Sequence, residues 1–134
     1  MRFSAKADYA CLAMRSLASR PGGAPPARIR EIAEAESIPE TYLVQILQRL
    51  KAAGLVRSVR GSAGGYRLAR PPGEICIAEI LDAVEGSEPD REPSPDLDEA
   101  LARLWREARG AALSVLRRAT LEDLLPVATG DWVI

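Results

Sequence analysis

A mainly α-helical fold with one small β-hairpin and a long C-terminal helix is what this sequence predicts, on three observations. Apolar residues recur at helical spacing in several separate stretches. One glycine-punctuated segment between residues 55 and 68 alternates as a strand pair does. From residue 97, apolar residues repeat every three or four positions over nearly three heptads. The 134 residues, 47% of them apolar, suffice for one compact domain with a real core and at most a small appendage.

The first helix is predicted from Ser4, a suitable N-cap, through Tyr9, Ala10, Ala13, Met14 and Leu17, stopping at Pro21-Gly22-Gly23. A short second helix carries Ile29, Ile32 and Ala33 and ends near Ser37. Pro39 suits the first turn of a third helix, whose stripe Leu43, Ile46, Leu47 and Leu50 runs to Gly54, a natural C-terminal stop. Leu55, Val56 and Val59, then Gly61, Gly64 and Gly65, then Tyr66-Arg67-Leu68 read as a hairpin with a loose tip. After Pro71-Pro72-Gly73, Ile77, Ile80, Leu81 and Val84 form a fourth helical stripe that stops at Gly86.

Residues 87–96 are proline-rich and acidic without a large apolar side chain, so burial cannot offset the entropy of ordering them, and a mobile loop is expected. Leu97, Leu101, Leu104, Ala108, Ala111 and Val115 lie 4, 3, 4, 3 and 4 residues apart, an a/d seam that calls for a partner helix. Gly110 within it costs about 1 kcal/mol relative to alanine, which the close approach of another backbone would offset. Thr120, with Asp123 three residues on, is placed to cap a last short helix through Leu124 and Leu125, and Trp132 and Ile134 are apolar residues available to dock. The chain thus divides into a unit at 1–86, a loop at 87–96, and a long helix with its tail at 97–134.

Several function classes are disfavoured at once. With no histidine, the usual general base and the commonest metal ligand are missing, and no nucleophile has an adjacent base, so no enzyme is expected. Two cysteines, Cys11 and Cys76, are too few for a disulfide framework and share no ligand spacing; with no apolar run of roughly 18 residues, a cytoplasmic protein without a membrane span is expected. Both cysteines sit among apolar neighbours and read as small buried hydrophobes, with a redox role as the lesser alternative.

The net charge of −1 hides a division: residues 1–73 carry +7 and residues 74–134 carry −8. From Arg49 to Arg70 the stretch holds Arg49, Lys51, Arg57, Arg60, Arg67 and Arg70 with no acid, which suggests a polyanionic partner such as nucleic acid. Three helices, the last two tightly joined and followed by a basic hairpin, make a winged helix-turn-helix, with the third helix lying in the major groove of DNA. Outside its buried stripe, that helix presents Glu40, Thr41, Val44, Gln45, Gln48, Arg49 and Lys51. Gln45 is suited to an adenine edge, and Val44 or the Thr41 methyl to a thymine methyl. On the hairpin, Arg57, Arg60 and Arg67 are candidates for phosphates or the minor groove, while Gly64 and Gly65 let the backbone approach a duplex.

Met1-Arg2-Phe3-Ser4, Ile38-Pro39-Glu40-Thr41-Tyr42-Leu43, Leu55-Val56-Arg57-Ser58-Val59-Arg60-Gly61, Gly64-Gly65-Tyr66-Arg67-Leu68 and Ala83-Val84-Glu85-Gly86 together resemble the Rrf-type regulators, the IscR/NsrR/CymR family of bacterial winged-helix transcription factors. The resemblance covers roughly residues 1–86 and continues loosely through the long helix. It implies a homodimer whose long helices cross and whose two recognition helices meet a dyad-symmetric double-stranded operator. By that similarity Thr41, Tyr42, Val44 and Gln45 touch DNA, Arg60 is the wing arginine, and Ser4, Lys6 and Tyr9 support the backbone contacts.

Two departures accompany the resemblance. Cluster-bearing members carry three cysteines in the loop before the dimerisation helix, and here residues 86–97 contain none, so no iron-sulfur cluster and no other cofactor is expected. Asp8 stands where some nitric-oxide-sensing members place a carboxylate ligand, but without thiolate partners it reads as a solvated first-turn acid. Val44 replaces a glutamate frequent in cluster-responsive members; it cannot accept from a cytosine amine, which moves operator preference toward A·T pairs. The expected function is a sequence-specific DNA-binding repressor acting by promoter occupancy, with the effector undefined. The alternative is a dimeric interaction or thiol-sensing module that has lost operator binding.

Overall fold

The computed structural model describes residues 4–62, 64–85 and 94–126. Helix α1 (Ala5–Ala18) starts at Ser4, whose hydroxyl accepts from the Ala7 N–H at 3.2 Å, and its face Ala7, Ala10, Ala13, Met14 and Leu17 is buried. Helix α2 (Ile29–Glu36) ends on Ser37 in the left-handed region, at φ 55°. There the chain reverses, and the Ile38 N–H returns to the Ala33 carbonyl at 3.0 Å, sealing the last turn of the helix.

Helix α3 (Glu40–Ala52) begins one residue later than expected. Pro39 precedes the helix instead of opening it: at ψ 129° it is still extended, and its carbonyl accepts the Leu43 N–H at 3.0 Å. The stripe Leu43, Ile46, Leu47 and Leu50 is buried as predicted, and Gly54 at φ 77° turns the chain out of the helix.

Strands β1 (Val56–Val59) and β2 (Gly65–Leu68) pair antiparallel in the register Val56↔Leu68, Arg57↔Arg67, Ser58↔Tyr66 and Val59↔Gly65. The Ala27↔Tyr66 bridge ties the segment before α2 to the outer edge of β2. Because successive strand residues point to opposite faces, Val56, Ser58, Tyr66 and Leu68 share one face and Arg57 and Arg67 the other. Val56 and Leu68 pack into the core, which fixes the first face as the inner one.

Helix α4 (Ile77–Glu85) buries Ile77, Ile80, Leu81 and Val84 against α1 and α3. Helix α5 (Glu99–Arg118) starts at Asp98, whose carboxylate accepts the Leu101 N–H at 3.1 Å. The expected seam therefore begins inside the helix at Leu101, and Leu97 lies just before the cap, because the aspartate satisfies the first free N–H groups where a leucine cannot. Beyond α5 the chain returns to the core: Ile77 N–H donates to the Ala119 carbonyl and Leu121 N–H to the Ile75 carbonyl, each at 2.9 Å, and Leu121 is fully buried. The capping box Thr120/Asp123 forms as predicted, but the segment it caps is a 3-10 turn, Leu121–Leu124, tighter than an α-helix. Among the described residues no helix is long and apolar enough to cross a membrane. The expected mobile loop at 87–96, apart from residues 94–96, and the tail with Trp132 and Ile134 lie outside the described residues.

Candidate nucleic-acid interface

Helix α3 turns Thr41, Gln45 and Gln48 outward in one line, since residues three and four apart stack on the same helix face. Beside them Tyr42 is 50% exposed and Val44 half-buried. The Tyr42 ring meets that of Tyr9 edge-on at 6.0 Å and 69°, so α1 holds the first turn of α3 from behind. Seven of the predicted positions, Tyr9, Thr41, Tyr42, Val44, Gln45, Gln48 and Lys51, thus converge on the outer side of one helix pair, with Lys6 half-buried one turn before Tyr9.

Arg49 does something else. Its guanidinium donates to the Val84 carbonyl at 2.7 Å, occupying one of the acceptors left free in the last turn of α4. Ser4 is likewise engaged: besides capping α1, its hydroxyl donates to the Glu85 carboxylate. Two predicted DNA contacts therefore brace α3 and α1 against the end of α4.

At the hairpin tip, Arg60 is exposed and Gly61 takes φ 105°, with the Gly64 N–H closing the turn on the Gly61 carbonyl at 2.9 Å. A Cβ at Gly64 would run into the Val59 carbonyl oxygen, and one at Gly65 into the Ala27 carbonyl oxygen. Both glycines are thus required by the fold itself, before any duplex approaches. Arg28 donates to the Ser62 carbonyl and ties the start of α2 to the tip. Arg28, Arg30, Glu40, Ser58, Gly61 and Gly64 line a groove of about 430 Å³ between the starts of α2 and α3 and the inner side of the hairpin.

Arg28 and Arg30 did not stand out in the sequence. Their signal was present, because cations at the N-cap and in the first turn of a helix oppose its dipole and favour an anionic neighbour. Arg57 and Arg67, by contrast, stand directly opposite each other on the outer hairpin face, away from this groove.

On α5, Leu101 is 36% exposed, Leu104 53%, Trp105 50% and Val115 52%, and Ala108 and Ala111 are exposed as well. Trp105, four residues after Leu101, joins the predicted seam, which a strict a/d count passes over. Gly110 lies about 100° round the helix from Ala111, on its polar side, and among the described residues nothing comes within 4 Å of a Cβ built there.

Burial pushes the Cys11 thiol above its ordinary value, and Asp8 adds to this, so the reactive thiolate is suppressed. Glu79 is held below the usual carboxylate range by the hydrogen-bonded Arg70 guanidinium, 3.0 Å away, with the Cys76 N–H at 3.1 Å contributing.

The model of the Rrf2 family, described as "Iron-dependent Transcriptional regulator", matches residues 3–126. The chain belongs to the Rrf2 family. An HTH-type transcriptional regulator of Mycobacterium tuberculosis is 40% identical over 140 residues, covering 99% of this chain and 86% of the relative. The solved structure of Bacillus subtilis CymR, a global cysteine regulator, superposes with a TM-score of 0.83 at 36% identity, covering 92% of this chain and 95% of that one. T. potens IscR does so at 0.78 and 35%, covering 92% and 85%.

As a member of the Rrf2 family this chain is a sequence-specific DNA-binding transcriptional regulator and not an enzyme. The iron in the family description does not fit its residues. There is no histidine, Cys11 and Cys76 are half-buried on separate elements, and among the described residues no three metal-binding side chains gather. Thiolates hold iron-sulfur clusters, and two dispersed thiols cannot supply a ligand set.

Proposed function

We propose that this chain binds a dyad-symmetric operator as a homodimer and represses by occupying the promoter. Helix α3 enters the major groove, with Gln45 pairing to an adenine edge and Thr41 and Val44 against thymine methyls. Arg60 reaches the adjacent minor groove, Arg28 and Arg30 meet phosphates across the groove beside it, and Lys6 and Tyr9 support the flanking backbone. Two copies of α5 cover each other along Leu101, Leu104, Trp105, Ala108, Ala111 and Val115.

The observation that supports this most is the single outward line Thr41, Gln45 and Gln48, flanked by the arginine-lined groove, in a chain whose long helix leaves its apolar stripe uncovered. A thiol-sensing module is disfavoured by the raised Cys11 thiol. Fluorescence anisotropy with duplexes from the region upstream of the chain's own gene tests the proposal. Binding should weaken steeply with salt, and Gln45→Ala should lose roughly tenfold or more of its discrimination for the cognate base pair, given about 1–3 kcal/mol per bidentate contact. Equal affinity for all duplexes would contradict it.

A further inference from the structure

The strongest basic feature outside the proposed interface is a cleft of about 400 Å³ between the α1–α2 loop and the base of the hairpin. Four arginines line it, Arg20, Arg57, Arg67 and Arg70, and no carboxylate does. Arg20 is held in place by Glu31 at 3.2 Å and by the Pro25 carbonyl at 2.8 Å; Arg70 is held by Glu79. These two side chains are pre-positioned and partly neutralised from outside the cleft.

Arg57 and Arg67 are different. They face each other directly across the strand pair, both exposed, and neither guanidinium has a hydrogen-bond or ion-pair partner among the described residues. Like charges directly opposite on an antiparallel pair are destabilising, and an anion bound between the two guanidinium groups would relieve that juxtaposition. A second observation points the same way: with both terminal nitrogens of Arg20 engaged, its Nε–H is buried with no acceptor among the described residues. A buried donor of that kind ordinarily has an acceptor.

The opposite wall is apolar, built from Leu17, Ala18, Pro21, Pro25 and Pro72. Planar guanidinium forks suit carboxylate and phosphate oxygens, and the volume is that of a small-molecule pocket. We propose that this cleft binds a small metabolite bearing two negative charges, as phosphate or carboxylate groups. Operator phosphates are the competing source of the same chemistry. The cleft, however, is lined by the C-terminal end of α1, roughly 20 Å along that helix from Ser4, and by the base of the hairpin. Anion binding itself is measured without DNA, so its failure is distinguishable from a failure of operator binding.

The test uses the full chain with inorganic phosphate, pyrophosphate and citrate as probes, each against sodium chloride at matched ionic strength, by thermal shift and calorimetry. At least one probe should bind saturably and raise Tm by roughly 3–6 °C at tenfold above its dissociation constant. The Arg57→Ala/Arg67→Ala double variant should bind that probe more than tenfold more weakly, while losing less operator affinity in probe-free buffer than Arg60→Ala does. Arg57→Glu, which pairs with Arg67, should abolish probe binding and raise the Tm of the unliganded protein, separating loss of the site from loss of the fold. The proposal is overturned if no probe saturates, or if the double variant binds the probe as well as the parent. It is equally overturned if the double variant loses operator affinity as severely as Arg60→Ala, since the arginines then serve DNA.

Discussion

Arg49 and Arg60 are both arginines of the basic stretch, yet the fold sends them to different work. Arg60 is exposed at the hairpin tip, whereas Arg49 spends its guanidinium on the Val84 carbonyl. Arg60→Ala should weaken operator binding and reduce the slope of log K against log salt by about one, as expected when one counterion-releasing cation is lost. Arg49→Met should weaken binding with an unchanged slope, because it loosens the support of α3 without removing a counterion-releasing charge; anisotropy titrations over a salt series separate the two. Gly64→Ala and Gly65→Ala should each destabilise by about 1–3 kcal/mol in urea unfolding, since their side chains meet backbone oxygens that cannot swing aside. Glu79 supplies a pH dependence. Its pKa is lowered in the fold, so its contribution is fully present above the ordinary carboxylate value and is lost as pH falls through the depressed one. The pair is partly exposed, which limits the effect to less than about 1 kcal/mol, and Glu79→Gln should flatten the acid limb of a stability-pH profile by that much.

The elements divide into those that local pattern determines and those that contacts decide. Helices α1 to α4 were legible because each carries a complete apolar stripe between a cap or proline and a glycine or turn, and a stripe of that kind has one way to be buried. The turn between α2 and α3 was placed correctly, but its key residue was hidden: nothing in Ser37 marks it for the left-handed region, which a glycine or asparagine would have signalled. The Ala27↔Tyr66 bridge and the backward reach of Arg49 were also invisible, since each joins residues 35 or more positions apart through geometry that no window of sequence contains. Helix α5 was legible as an unpartnered seam, and Trp105 and Gly110 show the limit of counting by heptads. Trp105 belongs to the exposed stripe and Gly110 to the polar face. Gly110→Ala, having open space around it, should stabilise the helix by up to about 1 kcal/mol without changing the oligomeric state. Leu104→Glu/Trp105→Glu should convert a dimer to a folded monomer in light scattering and weaken operator binding more than tenfold.

At the scale of the whole molecule, the +7 and −8 halves sort into a basic head and an acidic remainder. The head holds α1 to α3 and the hairpin; the remainder holds α4, α5 and their connections. The head alone offers a single recognition helix, and a sequence-specific site of ordinary length needs two, one helical turn apart. In the proposed dimer, pairing through α5 supplies the second copy, and the side chains of Arg49 and Ser4 brace α3 and α1 on the last turn of α4. The two working surfaces are thus mechanically joined, and loss of one should impair the other.

The most direct measurement is the stoichiometry and sequence dependence of operator binding by the purified chain, read as anisotropy on a dyad-symmetric duplex and on the same duplex with one half-site scrambled. An operator-binding dimer gives two chains per intact duplex and at least tenfold weaker binding to the half-scrambled one, with Gln45→Ala reducing that difference. One chain per duplex, or equal affinity for both duplexes at every salt concentration, would contradict it.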